Sequence, residues 1–438
     1  MIEPAEYAEM VQRCIRCSCC KFIPQVQIRN QHSTICPSID YYDFHGYSGG
    51  GRFILANSIE SGRLPFSESA RDILYKCTMC GGCDIACKYL NTLEVLDVIQ
   101  TLREKFVAAG VGPMPKQQQY VDAVKQTGNP YNEPAEQRAS WVPEDVKTHG
   151  DADVAYFVGC TSSYRRQEIA TATARVLQAS GTRFRLFASD EICCGSPVLR
   201  VGDVDTFRDI AIKNIDMIIA SGVKTVLFSC AGCFAMFRAE YPRVYREYSQ
   251  NEALPFAVVS TAEYFSRLID EKRLPLKDIG QMKVTYHDPC HLGRGSEPYT
   301  EWHGTMVQML PMVSLAVPEK PKRCGAGGVY EEPRHVIASI PGVELVEMDR
   351  IKEYAYCCGA GGGVKSAFPD FALHTASTRL AEAESTGASV LVSACPFCST
   401  NLQDAIQASN SALKFLDIAE LLLGAIDSDA TAESLQEE

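Results

Sequence analysis

Short apolar runs alternate with helical segments through the last three hundred residues of the chain. Runs such as "VAYFVGC", "GVKTVLFSC", "KVTYHDPC" and "GASVLVSAC" are rich in β-branched and aromatic residues, and each one ends at a cysteine. Segments such as "RRQEIATATARVLQASG" lie between them and have the period of a helix. This alternation predicts α/β folding, with the cysteines at the carboxyl ends of strands, where such folds build ligand sites.

The same succession occurs twice. The first unit reads "VAYFVGC", "RFRLFASDEICCG" and "GVKTVLFSCAGC", and the second reads "KVTYHDPC", "VELVEMDRIKEYAYCCG" and "GASVLVSACPFC". Between Cys194 and Cys230 lie 35 residues, and between Cys358 and Cys395 lie 36. Such internal similarity predicts two homologous α/β domains.

The second unit is longer than the first by one segment. Between Cys160 and Cys193 lie 32 residues, whereas between Cys290 and Cys357 lie 66. The excess falls at 296–324, "SEPYTEWHGTMVQMLPMVSLAVPEKPKRC". We interpret this segment as an insertion, and it is either a lid or partner-docking loop or an ordinary packed excursion.

A different pattern fills the first ninety residues, where "GYSGGGRFILANSIESGRL" predicts a glycine turn leading into a helix. On either side of it stand "CIRCSCC", followed by Cys36, and "CTMCGGCDIAC". The second motif reads C-x2-C-x2-C-x3-C, which is typical of two-cluster 4Fe–4S ferredoxins, where the fourth cysteine binds the other cluster. On that rule one cubane is held by Cys77, Cys80, Cys83 and Cys36, and the other by Cys14, Cys17, Cys20 and Cys87.

Two features qualify this ferredoxin interpretation. Gly81 and Gly82 allow the backbone to fold closely around the sulfurs, but Lys88 stands where the motif usually has proline. A pair of four-cysteine zinc sites is the alternative, although zinc usually takes two well-separated C-x2-C pairs. Cys19 is left over as a spare thiol.

Composition narrows the classes of function. The 438 residues are 46% apolar and 22% charged, and the net charge of −12 argues against a nucleic-acid partner. No apolar run reaches the length of a membrane span, and the first residues lack the pattern of a signal peptide. We therefore expect a cytoplasmic protein without a direct membrane span. Its twenty cysteines are more in keeping with metal ligands than with a disulfide framework.

The predicted domain order follows from these patterns. It comprises an N-terminal helical domain over 1–110, a connector over 111–150, two α/β domains over 151–281 and 282–426, and an acidic tail over 427–438.

The contexts "FVGC", "ICCGSP", "HDPCHLGR" and "CCGAGGG" resemble the paired CCG domains of heterodisulfide reductase. With the two-cluster domain in front, the layout is similar to the D subunit of that enzyme and to iron–sulfur subunits of glycerol-3-phosphate, lactate and glycolate dehydrogenases. The resemblance implies an α+β multidomain fold, in which a helical two-cluster ferredoxin domain precedes two repeated α/β CCG domains.

The resemblance also implies that each CCG domain holds a noncubane 4Fe–4S cluster on five cysteines. The ligand sets it implies are Cys160, Cys193, Cys194, Cys230 and Cys233 in the first domain, and Cys290, Cys357, Cys358, Cys395 and Cys398 in the second. Gly195 and Gly359 follow the paired cysteines and give backbone N–H groups access to sulfur. The alternative is a CCG unit that binds zinc or no metal at all.

The function implied is disulfide and thiol redox chemistry, with single electrons passing from the cubanes to the noncubane clusters. His291 is then a proton donor or a hydrogen-bond donor to cluster sulfur, and for His287 the second role is favoured. Lys365 and Arg294 either hold an anionic substrate or offset cluster charge.

The chain has no dinucleotide fingerprint and no flavin domain, so electrons have to come from other redox subunits, which carry flavin, iron–sulfur or membrane cytochrome groups. One alternative is an electron-relay subunit of an anaerobic complex such as class II benzoyl-CoA reductase. Others are the iron–sulfur subunit of a flavin-dependent dehydrogenase and, remotely, a zinc-binding interaction module.

Overall fold

The structure, a computed structural model, describes residues 4–23, 32–88, 91, 93–298, 300, 302–310 and 313–427. The predicted acidic tail lies outside this range apart from Asp427. Across the described ranges there is no helix with both the length and the apolar character that crossing a membrane requires.

The N-terminal domain and the start of the predicted connector, residues 4–127, are helical. Their helices are α1 (Pro4–Gln12), α2 (Pro37–Tyr42), α3 (Gly49–Glu60), α4 (Glu68–Tyr75), α5 (Gly82–Lys88), α6 (Val95–Ala108) and α7 (Pro115–Thr127). The glycine run predicted to precede a helix forms the first turn of α3, and the Ser48 side chain caps this helix by accepting from the Gly51 N–H. Helices α1, α3 and α6 pack together around Phe53 and Phe106, which are buried.

The first lobe, residues 154–270, is a parallel sheet covered by helices. Its strands are β1 (Val154–Phe157), β2 (Phe184–Leu186), β3 (Thr225–Phe228) and β4 (Ala257–Ser260). Its helices are α8 (Cys160–Tyr164), α9 (Gln167–Ala179), α10 (Ser196–Leu199), α11 (Val204–Ser221), α12 (Ala231–Ala235), α13 (Tyr241–Ser249) and α14 (Thr261–Asp270). The four strands run parallel in the order β2-β1-β3-β4.

The second lobe, residues 282–425, repeats this architecture. Its strands are β5 (Met282–His287), β6 (Thr305–Leu310), β7 (Val313–Val317), β8 (Val343–Leu345), β9 (Val390–Ser393) and β10 (Lys414–Asp417). Its helices are α15 (Glu331–Ala338), α16 (Val364–Ala367), α17 (Pro369–Glu384), α18 (Pro396–Ser409) and α19 (Ile418–Ala425). The order β8-β5-β9-β10 is the counterpart of the first sheet, and its strands are parallel too.

The two lobes have equivalent strand pairing and equivalent helix caps, and each packs a helix on the other. Val154 of β1 pairs with the first residue of β3, and Val284 of β5 pairs with the first residue of β9. The last strand of each lobe ends at a capping-box residue, Ser260 before α14 and Asp417 before α19. Helix α19 packs on α9 and helix α14 packs on α15, which are equivalent pairs. The carboxyl ends of both sheets therefore lie near one interface.

Arg103 of α6 joins the three parts of the molecule. It is fully buried, and its guanidinium donates to the carbonyls of Arg200 in the first lobe and Gly362 in the second, at 2.6 and 2.9 Å. It also donates to the carbonyls of Leu74, Tyr75 and Cys77 within its own domain. Five backbone acceptors therefore fix one side chain, and this contact holds the N-terminal domain against both lobes.

The segment predicted as an insertion contains an antiparallel hairpin, β6 and β7. Its apolar side chains are exposed, with Met306, Leu310 and Val317 at 50, 62 and 52%. Arg323, after the hairpin, pairs with Glu94 and Asp97 of the N-terminal domain. In the described part of this segment, the hairpin is therefore exposed at the surface and is not a packed excursion.

Candidate functional site

The N-terminal cysteines lie in two groups. The Cys87 thiol, near the end of α5, neighbours the thiols of Cys14, Cys17 and Cys20. Burial raises the pKa of this Cys87 thiol to about 12, and the neighbouring thiols act in the same direction. Gly50 N–H donates to Cys20 Sγ at 3.2 Å. These are the four residues that the spacing rule predicts for one cubane.

The second group surrounds Cys83, one turn before Cys87 on the same helix. Cys36, Cys77 and Cys80 are the neighbouring thiols, and burial raises the pKa of Cys83 well above its usual value. Gly81 and Gly82 lead into this turn, and a Cβ at Gly82 would lie 2.8 Å from Ile35 Cγ1. Helix α5 therefore supplies one cysteine to each group, as the spacing rule predicts. That each group binds a cluster stays a prediction.

In the first lobe, five cysteines gather at the carboxyl edge of the sheet. Cys160 begins α8, Cys230 precedes α12 and Cys233 lies within that helix, because the chain turns directly from strand into helix. Hydrogen-bond contacts join Cys160 to Cys193, and Cys194 to Cys233. The hydrogen bond from Cys193 lowers the pKa of Cys194 to about 6.

The second lobe repeats this arrangement. Cys395 precedes α18 and Cys398 lies in its first turn. Cys357 is a hydrogen-bond partner of Cys290 and of Cys358, and Cys358 is in turn a partner of Cys398. The ten cysteines thus form two groups of five, which are the sets implied by the resemblance.

Glycines after the paired cysteines bring backbone donors to sulfur in both lobes. Gly195 N–H donates to Cys193 Sγ at 3.4 Å, and Gly359 N–H donates to Cys357 Sγ at 3.3 Å. Both glycines have positive φ, at 77 and 88°. A Cβ would approach Phe207 Cδ2 to 2.7 Å at the first and the Ala372 carbonyl oxygen to 2.5 Å at the second.

Sulfur contacts also link the groups to one another. Cys80 of the N-terminal domain is a hydrogen-bond partner of Cys357, and this contact lowers the pKa of Cys80 to about 5. Cys230 of the first lobe is a hydrogen-bond partner of Cys395 of the second. Three of the four groups of cysteines therefore form a continuous series, from the group around Cys83 through the second lobe to the first.

A cavity of about 770 Å³ lies between the lobes. Nine of the ten lobe cysteines line it, and Cys357 is the exception. Its volume is in the range of small-molecule sites. The lining includes Lys116, Arg165, Arg166, Arg200 and Lys365, and among the described residues that line it there is no carboxylate. The charged side chains of the wall are therefore all cationic, although four of the five pair with carboxylates outside the lining.

A buried ion pair supports the first-lobe group. Arg138 donates to Glu191 Oε1 at 2.8 Å and to Cys160 Sγ at 3.4 Å. Glu191 also accepts from the N–H groups of Val158 and Gly159 at 2.9 and 2.8 Å. Burial raises the pKa of Glu191 despite its pairing with Arg138. Sequence reasoning missed both residues, although Glu191 stands directly in the "EICCG" motif.

The four residues predicted to take part in chemistry occupy different places. His291 and Lys365 line the cavity, and His291 Nδ1 lies 3.5 Å from Cys290 Sγ. Lys365 donates to Asn401 Oδ1 at 2.8 Å and pairs with Asp404. His287 and Arg294 are buried and do not line the cavity.

Arg294 reaches the junction between Cys80 and the second lobe. It donates to the carbonyls of Cys80, Glu353 and Ala355 at 2.6, 2.8 and 2.7 Å. This position favours the alternative in which its charge offsets that of the neighbouring sulfurs, because burial keeps the guanidinium away from the cavity.

The donor chemistry of the site fits iron–sulfur clusters. All twenty cysteines are free, and eighteen of them gather in groups of four and five, most of whose members are buried. Soft thiolate donors select iron–sulfur clusters or zinc, and backbone N–H groups aimed at sulfur are a feature of cluster sites. Paired neighbouring thiolates joined to three others exceed the four ligands of a structural zinc site.

Comparisons with known families agree with this donor set. The model of the 4Fe-4S dicluster domain matches residues 10–90, and the model of the CCG cysteine-rich domain matches residues 154–238, 284–332 and 324–403. The resemblance of the motifs and the predicted fold class are confirmed, and the chain carries 4Fe–4S clusters.

Curated relatives extend the match over nearly the whole chain. The D subunit of dihydromethanophenazine:CoB–CoM heterodisulfide reductase from Methanosarcina mazei is 36% identical over 94% of this chain and 93% of its own. The B subunit of fumarate reductase (CoM/CoB) from Methanothermobacter marburgensis is 30% identical over 80% of this chain and 61% of its own. The relation to the first protein decides the family, because it spans both the N-terminal domain and the two lobes.

A solved structure supports the fold alone. The crystal structure of a hypothetical protein from Helicobacter pylori superposes with a TM-score of 0.50, at 10% identity, over 88% of this chain and 69% of its own.

Proposed function

Because this chain belongs to the family of CCG-domain iron–sulfur proteins that includes the D subunit of heterodisulfide reductase, we propose that it reduces a disulfide in the cavity between its lobes. The chain is an iron–sulfur oxidoreductase subunit. The substrate proposed is a disulfide R–S–S–R′, which takes up two electrons and two protons and leaves as two thiols. The cavity carries this proposal, since nine cysteines of both lobes line one partly open volume.

We propose four 4Fe–4S clusters. Two cubanes are assigned to the N-terminal groups around Cys83 and Cys87, and two noncubane clusters are assigned to the groups of five in the lobes. When bound, such clusters supply electrons one at a time and iron sites that can bind sulfur. The remaining work, which is to orient the substrate, to exclude water and to deliver protons, falls to the chain's own residues.

His291 is the residue we assign to proton delivery. Its Nδ1 faces Cys290 Sγ at 3.5 Å, and the residue lines the cavity, so the rest of the ring is available to a bound thiol. Lys365 and the arginines of the wall are suited to hold a substrate that carries negative charge.

Electrons come from a one-electron redox partner protein, and we assign their entry to the N-terminal domain. Cys17 is exposed there, whereas nine of the ten cysteines in the two groups of five are buried and the tenth, Cys290, is half-buried. The contacts Cys80–Cys357 and Cys230–Cys395 supply the route inward. A flavin, iron–sulfur or cytochrome subunit would serve as the partner.

The second candidate is a pure electron relay, which would use the same Cys80–Cys357 contact and would need no substrate. One relative of the chain is named as part of a fumarate reductase, and this name is compatible with a relay role.

The test is an anaerobic disulfide-reduction assay with a small one-electron donor, run beside paramagnetic resonance of the oxidised protein incubated with thiols. A disulfide reductase should release thiols and give a thiol-dependent signal, and both should be reduced in H291F. A protein that holds its clusters and accepts electrons, but gives neither result with any disulfide class offered, is a relay.

A further inference from the structure

The strand residue three positions before the first cysteine of each group differs between the two lobes. His287 ends β5 three residues before Cys290, as Phe157 ends β1 three residues before Cys160. The pairing registers agree, since Phe157 lies opposite Phe228, and His287 lies opposite Ser393. An apolar pair in the first lobe is thus replaced by a polar pair in the second.

The imidazole of His287 is fully buried and accepts a hydrogen bond from an arginine. Arg379 of α17, which is 0% exposed, donates its Nε–H to His287 Nδ1 at 3.0 Å. Its Nη1 pairs with Glu382 at 2.8 Å, and Glu382 also accepts from Arg350. The corresponding place on α11 is held by Asn214, which donates to the Cys193 carbonyl and to the Tyr241 hydroxyl instead.

This hydrogen bond fixes the tautomer of the imidazole. A guanidinium has five N–H donors and no acceptor, so the Nδ1 atom that faces Arg379 Nε must offer a lone pair. In a neutral imidazole with Nδ1 as acceptor, the proton resides on Nε2. His287 Nε2 is therefore an N–H donor.

The His287 ring is buried beside two cysteines of the second lobe. Among the described residues its Nε2 atom has no hydrogen-bond partner, so this donor is left over. A ring nitrogen of His287 lies within 4.8 Å of Cys358 Sγ and Cys398 Sγ, which are themselves within that distance of one another. The Cys357 and Cys398 thiols lower the pKa of the Cys358 thiol, and the neighbouring His287 ring lowers it further. His287, Cys358 and Cys398 resemble a metal site, but a nitrogen that carries a proton has no lone pair for a metal.

We propose that His287 is a neutral imidazole, held by Arg379, that donates its Nε2–H to the sulfur of Cys358, and that it sets the reduction potential of the second-lobe cluster without ligating iron. The inference rests on the proposed function, because it assigns a cluster to that lobe. An N–H donor stabilises the more negatively charged, reduced state of a cluster, so it raises the potential. His287 is accordingly a positioning residue of the second lobe, and Phe157 supplies no such donor in the first.

The test is a redox titration of the full chain, followed by paramagnetic resonance. In H287F, which copies the first lobe, one iron–sulfur signal should shift to lower potential while iron content and the remaining signals stay unchanged. S393A is the matched control, since it removes the 3.0 Å hydrogen bond from Ser393 Oγ to the His287 carbonyl and leaves the imidazole in place. The midpoint in S393A should equal that of the wild type.

Arg379 variants test the tautomer. R379K keeps a donor toward Nδ1 and should preserve the midpoint, whereas R379M should lower it. Combined with H287F, R379M should give no further shift, because Arg379 acts on the sulfur only through His287. If H287F fails to fold, the wild-type protein still tests the hydrogen bond. The proton on His287 Nε2 should then give a hyperfine coupling that disappears on exchange into D₂O.

Two results would overturn the inference. One is a strong ¹⁴N coupling typical of a nitrogen bound to iron, lost in H287F together with iron. The other is an H287F protein with full iron and an unmoved midpoint. A wild-type protein without a second-lobe cluster signal would instead refute the proposed function, so the two failures are distinguishable.

Discussion

The thiols of Cys80 and Cys357 are hydrogen-bond partners, although one belongs to the N-terminal domain and the other to the second lobe. Arg294 closes the same junction by donating to the Cys80 carbonyl at 2.6 Å. The site proposed for a cubane in the N-terminal domain and the site proposed for the second-lobe cluster therefore share a boundary of sulfur and backbone. This boundary is where electrons would pass into the lobes.

Removal of the Cys80 thiol tests this boundary. C80A should lower the iron content by up to four atoms per chain, as follows from loss of one 4Fe–4S cluster. The lobe clusters should remain and still accept electrons from a small-molecule reductant, but their reduction by a protein donor should slow at least tenfold. Stopped-flow absorbance measures this. The control is C19A, which removes a thiol outside the predicted ligand sets; iron loss in C19A equal to that in C80A would contradict the assignment.

The glycines after the paired cysteines give a second test. G195A and G359A should each lose about four irons per chain, because the Cβ meets Phe207 or the Ala372 carbonyl and displaces the N–H donor from sulfur. Gly222 and Gly387 have similar positive φ, at 73 and 71°, but a Cβ there meets nothing within 4 Å.

G222A and G387A are therefore matched controls for backbone strain alone, and they should keep all their iron while losing about 1 kcal/mol of stability. Equal iron loss in all four variants would show that backbone strain, and not the sulfur contact, explains the effect.

The buried pair Arg138–Glu191 should matter more for stability than any surface pair. R138M leaves the Glu191 carboxylate buried without its partner, and we expect a loss of roughly 3–5 kcal/mol in the free energy of unfolding. R138M/E191Q should recover part of this loss. Anaerobic denaturant titration provides the measurement, and R183M, which breaks an exposed pair with Asp151, should cost far less because solvent screens that pair. A double variant as unstable as R138M would contradict this account.

Glu104 predicts a pH dependence of stability. Burial raises the pKa of this carboxyl to about 7, and the nearby Glu240 and Asp97 act in the same direction against a hydrogen bond from Gln100. Because folding raises the pKa of Glu104, its protonation favours the folded state. This contribution to the free energy of unfolding is fully present below the pKa of the unfolded chain, near 4.5, and is lost as the pH rises through about 7.

E104Q should therefore unfold like the wild type at pH 4.5 and be more stable at pH 8, by on the order of 2 kcal/mol. Thermal unfolding at the two pH values measures the difference, with E68Q, at an exposed carboxylate, as the control. An E104Q advantage that is equal at both pH values would rule out titration of Glu104 as its cause.

The repeat was predictable because its signal is local. Each apolar run is short, ends at a cysteine and is followed by a helix, so the strand ends, and with them Cys160, Cys230, Cys290 and Cys395, follow from the pattern. The insertion at 296–324 in the second lobe was predictable too, because the spacing between the first cysteine and the paired cysteines differs between the two units.

The rest depends on contacts between segments far apart in the sequence. Arg138 reaches Cys160 from the connector, and Arg379 reaches His287 from a helix whose pattern marks it only as buried. The run "TMVQML" reads as a strand, but no periodicity distinguishes a strand that is buried from one exposed like β6. Tertiary packing decides these features, and a single sequence does not record it.

We propose that adjacent cysteines in both lobes bind iron–sulfur clusters of their own. The decisive experiment is an anaerobic determination of iron and acid-labile sulfide per chain. Four 4Fe–4S clusters would give about sixteen irons and sixteen sulfides. About eight of each, with both lobes empty or filled by zinc, would show this proposal to be wrong.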